Sequence, residues 1–183
     1  MAADATPARL VVAHTAHLEP ATLAAARSML HEAFDGTFTD DDWEHCLGGV
    51  HAIVLEGDAP VAHAAVVQRR LLHRGRALRS GYVEGVAVRA DRRGQGHAAT
   101  AMDAVEAICA AAYDIAALGA TDRALGFYTA RGWLPWRGTC SALTPDGIVS
   151  TPDDAESLFV FPGDCEIDVG GEITCDYRPG ELW

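Results

Sequence analysis

A glycine- and arginine-rich turn at residues 89–98 is the part of this sequence best suited to chemistry. It follows the apolar segment 82–88 and precedes an alanine-rich segment with helical character. The first turn of a helix carries amide groups without an internal partner, and these groups attract anions. Glycine lets such amides approach a diphosphate closely, and arginine adds charge and directional donors. A strand, a cationic glycine turn and a helix in this order predict a site for a phosphate-bearing cofactor.

The charges of the chain are unevenly distributed around this turn. The net charge is −12, yet residues 67–97 contain eight arginines against Glu84 and Asp91. Residues 146–183 contain ten carboxylates against Arg178, and residues 32–44 contain six carboxylates and no arginine or lysine. This pattern favours an anionic ligand bound by the basic middle and a cationic ligand bound by the flanks, although acidic flanks can also serve solubility alone. The negative net charge of the chain argues against a nucleic acid partner.

Length and composition restrict the class of protein. A chain of 183 residues with 49% apolar residues fits a single domain, residues 1–183, with its own core. The apolar runs are too short to span a bilayer, and the first residues do not show the basic segment followed by an apolar segment that is typical of a signal peptide. We therefore predict a cytoplasmic protein without membrane contact. The five cysteines show no CxxC spacing and the eight histidines no HExxH spacing, so neither a disulfide framework nor a metal site is expected.

The elements that would hold the turn follow from apolar periodicity and from glycine, proline and capping residues. We predict a single α/β domain in which an early strand and two helices precede a run of antiparallel strands. The predicted elements are a strand at 8–13, a helix from Pro20 to Phe34, a short helix capped by Thr39 or Asp40, strands at 51–55, 61–72 and 77–88, a helix at 96–112, a strand at 115–118, a helix capped by Thr121 or Asp122 that ends at Gly132, strands at 139–143 and 158–161 separated by a polar loop, and an acidic tail at 165–183.

Two motifs at this separation resemble one enzyme family. Arg93-Gly94-Gln95-Gly96-His97-Ala98 fits the acetyl-CoA signature of the GCN5-related N-acetyltransferases (GNAT), and Phe127-Tyr128-x-x-x-Gly132-Trp133 fits the signature that follows it. Longer segments, among them 83–91, 131–136 and 151–154, are similar to the aminoglycoside 2′-N-acetyltransferases. That resemblance spans the chain from Arg9 to Trp183.

The resemblance implies a fold and a co-substrate. The fold is a mixed, mostly antiparallel sheet, splayed between strands 4 and 5 and flanked by helices, with a core at about 8–136 and C-terminal strands and an acidic tail at 137–183. The co-substrate is acetyl-CoA, whose pantetheine arm would add to strand 4 like a further strand, and the expected assembly is a homodimer. The residues expected to bind acetyl-CoA are Val86, Ala87, Val88, Arg93, Gly94, Gln95, Gly96, His97 and Ala98.

Two residues are expected to move protons. Glu84 would act as the general base that deprotonates the incoming ammonium, because an amine attacks only when it is neutral. The alternative is a solvent-facing residue of an edge strand. Tyr128 would protonate the departing thiolate, and its alternative is a core tyrosine whose hydroxyl has a hydrogen-bond partner.

The acceptor site is inferred from carboxylates. Several carboxylates that converge on one cleft repel one another when it is empty and suit a polycation such as an aminoglycoside, whereas a single surface acid is normally only solvated. The family has an acid at position 37 and Asp at position 181, so the threonine and glutamate found here would retune acceptor preference. The residues expected to bind the acceptor are Thr37, Asp42, Glu84, Gly85, Gly119, Asp153, Asp154, Glu181 and Trp183.

The predicted function is acetyl transfer from acetyl-CoA to the 2′-amine of aminoglycoside antibiotics, by direct attack in a ternary complex, which would confer resistance. One alternative is acetylation of another polyamine, an amino sugar or a host metabolite. A second is a CoA-binding sensor that has lost turnover.

Overall fold

The computed structural model describes residues 7–163 and 165–183. The first residues of the chain, which bear on the predicted absence of a leader, lie outside this part. The chain forms two compact units: the first is Met1–Val67 with Glu84–Glu106, and the second is Gln68–Val83 with Ala107–Trp183. A single domain over residues 1–183 therefore stays a prediction, and the two units are described separately.

Most of the predicted elements are confirmed within one to three residues. The strands are β1 (Ala8–His14), β2 (Val50–Glu56), β3 (Ala59–His73), β4 (Arg76–Val88), β5 (Ile115–Gly119), β6 (Leu134–Pro135), β7 (Cys140–Thr144), β8 (Gly147–Ser150), β9 (Leu158–Pro162) and β10 (Ile173–Cys175); the helices are α1 (Pro20–Ala33), α2 (Asp40–Cys46), α3 (His97–Ala112) and α4 (Leu125–Ala130). The strands β3 and β4 and the helix α3 each contribute to both units.

The first unit is a three-stranded antiparallel sheet packed against helices. In it β2 pairs with β1 on one side and with β3 on the other. Its core consists of buried apolar residues from α1, α2 and the strands, among them Leu30, Trp43 and Ile53. Pro20 stands at the first position of α1, where its missing N–H costs nothing.

The second unit carries a mixed sheet with the strand order β6-β9-β5-β4-β3-β10-β7-β8. The β4–β5 and β7–β10 pairs are parallel, and the β5–β9, β6–β9, β3–β10 and β7–β8 pairs are antiparallel. The β4–β5 ladder has three residue pairs and ends at Tyr82 and Ala117, while β5 continues beside β9 to Gly119. A mixed, mostly antiparallel sheet with a β4–β5 ladder that stops early confirms the predicted fold class.

Two local predictions are wrong, and a short strand in the acidic tail was not predicted. The predicted loop between β7 and β9 contains β8, which pairs with β7, and the acidic tail contains β10. Every residue of β8 is exposed, so it lacks the alternation by which strands are recognised. β10 does alternate, but it has only three residues, which are too few for a periodic pattern to be recognised. The predicted side-chain cap at Thr121 is not formed. Its backbone carbonyl accepts a hydrogen bond from the amide of Ala124 in a 3₁₀ turn, and its side chain makes no capping hydrogen bond.

No helix within residues 7–163 and 165–183 is both long and apolar enough to cross a bilayer.

Candidate active site

A left-handed kink in β4 separates two of the predicted site residues, Glu84 and Val86. It lies at Gly85, whose φ is +56°. A Cβ atom there would lie 2.8 Å from the Sγ of Cys46 on α2 and 3.2 Å from Nδ1 of His63 on β3. Both the backbone angle and the close packing therefore require glycine at this position. Glu84 is half-buried at the start of the kink.

The predicted phosphate-binding turn ends at the start of α3. Gly94 and Gly96 have φ values of +76° and +85°, and a Cβ at either would meet no atom within 4 Å. Glycine is thus needed here for the backbone angle, and space remains beside it for a ligand. The amide of Thr100 bonds to the carbonyl of Gly96, so by helix geometry the amides of the preceding turn have no acceptor inside the helix. This arrangement suits the diphosphate of a nucleotide-linked cofactor.

The arginines around this turn differ in their partners. Arg89 bonds to Asp91 at 2.6 Å, and Arg92 bonds to Asp91 and to Glu56 at the end of β2, both at 2.8 Å. The Arg89 guanidinium lowers the pKa of Asp91, and the hydrogen bond to Glu56 raises the pKa of Arg92.

Arg93 has no carboxylate partner in the described part of the chain. Its Nε–H and Nη2–H groups donate to the backbone carbonyls of Val88 and Ala33, at 3.4 and 3.2 Å. Of these three arginines, Arg93 is the one whose charge is available to an incoming phosphate. The imidazole of His97, the first residue of α3, has its Nε2 3.8 Å from Glu56 Oε1.

Besides Glu84 and Gly85, the first unit contains two predicted acceptor residues, which lie in or just before the first turn of α2. Asp42 Oδ2 accepts hydrogen bonds from the amide and the hydroxyl of Thr39, at 2.7 and 2.9 Å, and the Thr39 hydroxyl accepts from the amide of Asp42. Asp42 therefore completes a capping box, a structural role that was not predicted from the sequence. Thr37 is exposed, and its hydroxyl donates to the carbonyl of Phe34 at 2.7 Å.

Tyr128 lies on α4 in the second unit and is 5% exposed. Its ring packs edge-on against Trp133 and at a tilt against Phe159, with centroid distances of 6.0 and 6.2 Å. Gly119, at the end of β5, is exposed, and a Cβ there would lie 3.9 Å from the Tyr82 hydroxyl.

In the second unit, the C-terminal tail places Trp183 against the segment that carries Asp153 and Asp154. The indole N–H of Trp183 donates to the hydroxyl of Thr151 at 2.8 Å, directly before the 3₁₀ helix Pro152–Glu156 that carries Asp153 and Asp154. Trp183 is buried, whereas Glu181 is exposed. The stacking of Trp183 on a sugar ring stays a prediction.

A side chain that was not predicted as functional from the sequence holds this tail. The guanidinium of Arg178 donates to the backbone carbonyls of Glu181 and Trp183, both at 2.7 Å, and lies 5.3 Å from the centre of the Tyr82 ring. Arg178 is the only arginine or lysine in residues 146–183, which contain ten carboxylates. This isolated positive charge is the sequence signal that could have identified it.

Two buried cysteines have thiols that are poor nucleophiles. Burial, reinforced by the negative charge of Asp154, raises the pKa of Cys140 to about 12, and burial also raises the pKa of Cys175. These thiols are protonated at neutral pH and cannot readily attack a thioester. Within residues 7–163 and 165–183, no group of three or more His, Cys, Asp or Glu side chains has a geometry that could hold a metal ion.

Two comparisons of the sequence with known proteins both match acetyltransferases. A sequence profile described as an acetyltransferase (GNAT) domain matches residues 15–135. The chain is 55% identical, over 180 residues, to an aminoglycoside 2′-N-acetyltransferase of Mycolicibacterium fortuitum; the match covers 96% of this chain and 91% of that protein.

Solved structures share the fold at low sequence identity. A GNAT family acetyltransferase from Brucella melitensis, in complex with acetyl-CoA, has a TM-score of 0.61 at 14% identity, over 93% of this chain and 97% of that one. ElaA of Escherichia coli has a TM-score of 0.60 at 17% identity, over 85% and 99% of the two chains.

Proposed function

Because the chain belongs to the GNAT acetyltransferase family, we propose that it transfers the acetyl group of acetyl-CoA to the 2′-amine of aminoglycoside antibiotics. The observation that carries the proposal is the 55% identity, along nearly the whole chain, to a protein with this named activity. Acetylation of that amine removes one positive charge and so weakens the hold of the drug on RNA, which would give resistance.

The turn before α3 supports acetyl-CoA as the co-substrate. Its glycines at positive φ expose the first amides of α3, and Arg93 supplies a charge that no carboxylate in the described part of the chain neutralises. These groups would hold the diphosphate, and the backbone of Val86 and Val88 would pair with the pantetheine amides. The thioester that the co-substrate carries is the acetyl donor.

The transfer itself requires proton movements at the acceptor nitrogen and at the departing thiolate. The carboxylate of Glu84 would take a proton from the acceptor ammonium, and the neutral nitrogen then attacks the thioester carbonyl. A C–N bond forms and the C–S bond breaks, and the hydroxyl of Tyr128 would protonate the departing thiolate. The acylated nitrogen then releases its second proton, which would restore the hydroxyl of Tyr128. We propose direct transfer, because the raised pKa values of Cys140 and Cys175 make a thiol intermediate on either residue unfavourable.

The acceptor would be bound by carboxylates of both acidic flanks. The carboxylates proposed to bind the acceptor are Asp42, Asp153, Asp154 and Glu181, together with the ring of Trp183. Thr37, Gly85 and Gly119 would contribute polar or backbone contacts. We further propose that the protein is a cytoplasmic homodimer, which sedimentation of the purified protein would test.

The decisive assay measures thiol release from acetyl-CoA with a pair of aminoglycosides that differ only at C2′, one carrying an amine and the other a hydroxyl. We expect release with the amine alone and an acetyl group on the 2′-nitrogen by NMR. Release confined to a linear polyamine or a simple amino sugar would replace the proposed acceptor. Tight CoA binding without release with any acceptor would show a sensor rather than an enzyme.

A further inference from the structure

Two buried histidines of the first unit form a hydrogen-bonded pair beneath the kink in β4. His51 on β2 and His63 on β3 are both fully buried, and His51 Nδ1 lies 2.9 Å from His63 Nε2. His63 Nδ1 lies 2.7 Å from the carbonyl oxygen of Gly85. At the other end, His51 Nε2 lies 2.8 Å from the hydroxyl of Thr15. The four residues form one continuous chain of hydrogen bonds from Thr15 to Gly85.

The carbonyl of Gly85 determines the direction of each hydrogen bond between Thr15 and Gly85. A carbonyl oxygen can only accept, so His63 Nδ1 must carry a proton. In a neutral ring His63 Nε2 is then bare and accepts from His51 Nδ1–H, which leaves His51 Nε2 bare as well. The Thr15 hydroxyl lies 2.8 Å from His51 Nε2 and 3.2 Å from the Gly49 carbonyl, and its single proton goes to His51, the shorter contact and the one that needs a donor. The Thr15 oxygen itself accepts from the amide of Gly48 at 3.0 Å.

Burial keeps both rings neutral. It lowers the pKa of His63 to about 3, and burial together with the nearby His14 lowers the pKa of His51 to about 4. Trp43 on α2 covers both rings, with centroid distances of 6.1 and 6.2 Å, and excludes water from them. Each ring nitrogen of the pair therefore has one protein partner and acts either as a donor or as an acceptor.

This series of hydrogen bonds gives the kink a side-chain contact, because His63 bonds directly to the kinked residue. The hydrogen bond from His63 orients the carbonyl of Gly85, and this carbonyl belongs to the peptide that links Gly85 to Val86. In a regular strand Glu84 and Val86 would face the same side, whereas a left-handed residue between them breaks the alternation. The direction of Glu84 relative to Val86 is thus set at Gly85.

We propose that His63, held by His51 and Thr15, is a positioning residue for acetyl transfer: its Nδ1–H fixes the Gly85 carbonyl and thereby aims Glu84 at the acceptor amine. No role was predicted for these histidines from the sequence. A histidine inside an apolar strand is costly unless it has partners, and that is the signal that could have identified them. This inference depends on the proposed function only for the part that Glu84 takes in the reaction.

Three substitutions of His63 separate positioning from packing. Asparagine places an amide N–H where Nδ1–H stands and can still donate to Gly85, whereas glutamine places its amide near the former Nε2 and reaches towards His51. Leucine removes both bonds at similar volume. We expect His63→Gln and His63→Leu to lower kcat at least tenfold and His63→Asn to stay within threefold of the parent protein. The Kd for CoA should change less than threefold in all three variants.

His17→Asn, at an exposed histidine of the short helix Thr15–His17, serves as the matched control and should leave kcat unchanged. The proposal is overturned if a folded His63→Leu protein retains the parent kcat, or if asparagine and glutamine lower kcat equally, because packing would then explain the loss.

A measurement on the unmodified protein tests the same inference without any substitution or any acceptor. Long-range ¹H–¹⁵N spectra at pH 7.5 should show both imidazoles as Nδ1–H tautomers with bare Nε2 atoms. A His63 ring protonated only at Nε2 cannot donate to Gly85 and would overturn the proposal. The result does not depend on which amine is acetylated, so a failure of the proposed function remains distinguishable from a failure of this inference.

Discussion

The buried histidine pair should make the folded protein sensitive to mild acid. In the unfolded chain both histidines titrate near pH 6.5, whereas burial lowers their pKa values to about 4 and about 3 in the folded protein. Below pH 6.5 the unfolded state therefore binds protons that the folded state does not. The free energy of unfolding is unaffected by these residues above about pH 7 and falls as the pH decreases from 6.5 towards 4.

The size of the effect follows from the two pKa values. Between pH 7.5 and pH 5, each histidine is expected to lower the free energy of unfolding by about 2 kcal/mol, because each unit of pH below 6.5 costs about 1.4 kcal/mol. The pair together accounts for about 4 kcal/mol, a large share of the stability of an ordinary domain. Asp91 and Asp114, whose pKa values are lowered by arginine partners, remain ionised throughout this pH range and add little to the difference.

Urea denaturation followed by circular dichroism at pH 7.5, 6.5, 5.5 and 5.0 would measure this loss. The His63→Asn variant should lose about 2 kcal/mol less than the parent protein over the same range, because one of the two titrating groups is gone. The comparison cancels the contributions of residues that both proteins share. If the two proteins lose stability equally, to within about 0.5 kcal/mol, His63 is not both neutral and buried in the folded state.

Four further predictions concern the kink and the proposed site. Gly85→Ala should lower the free energy of unfolding by about 2 kcal/mol or more, because an L-residue at positive φ is strained and its Cβ would press on Cys46; an unchanged midpoint in urea would contradict the left-handed backbone at Gly85. Glu84→Gln should lower kcat about 10²- to 10⁴-fold and remove the loss of rate at low pH that an essential base causes, and an unchanged pH–rate profile would exclude Glu84 as the base. Tyr128→Phe keeps the buried ring and should slow thiol departure, which pre-steady-state kinetics would detect; parent rates would leave Tyr128 a packing role. Asp154→Asn should raise the acceptor KM and leave the Kd for CoA unchanged in calorimetry, so weaker CoA binding would mean that Asp154 is misplaced.

The two motifs were recognisable because each depends on residues close together in the chain. In the turn before α3, glycines at positive φ precede a helix start, whereas in the segment from Phe127 to Trp133 the positive-φ glycine, Gly132, follows the end of α4. The same holds for α1 and α2, which begin at a proline and at a threonine cap as expected. The predicted fold class followed from the order of these elements and from the resemblance.

The partners of charged and polar side chains were less predictable. In the sequence Arg92 and Arg93 are adjacent and equally suited to phosphate, but Arg92 bonds to Glu56, which is 36 residues away in the chain. Asp42 was expected to face an acceptor, and its carboxylate also caps α2. A charge pattern shows how many acids and bases a segment contains, whereas the pairing of each depends on which strands become neighbours.

The residues alone were enough to predict a strand, an anion-binding turn and a helix in one continuous segment, because helix termini and positive-φ glycines are properties of local backbone. Only the folded arrangement could show that His51, His63 and Gly85, far apart in sequence, share a line of directed hydrogen bonds, or that Arg69 and Asp176 form an ion pair across 107 residues. Such contacts form when sheet register places distant strands side by side, and burial then makes each unsatisfied donor or acceptor costly. The local segment therefore identifies the chemistry, and the tertiary contacts determine the direction in which its groups point.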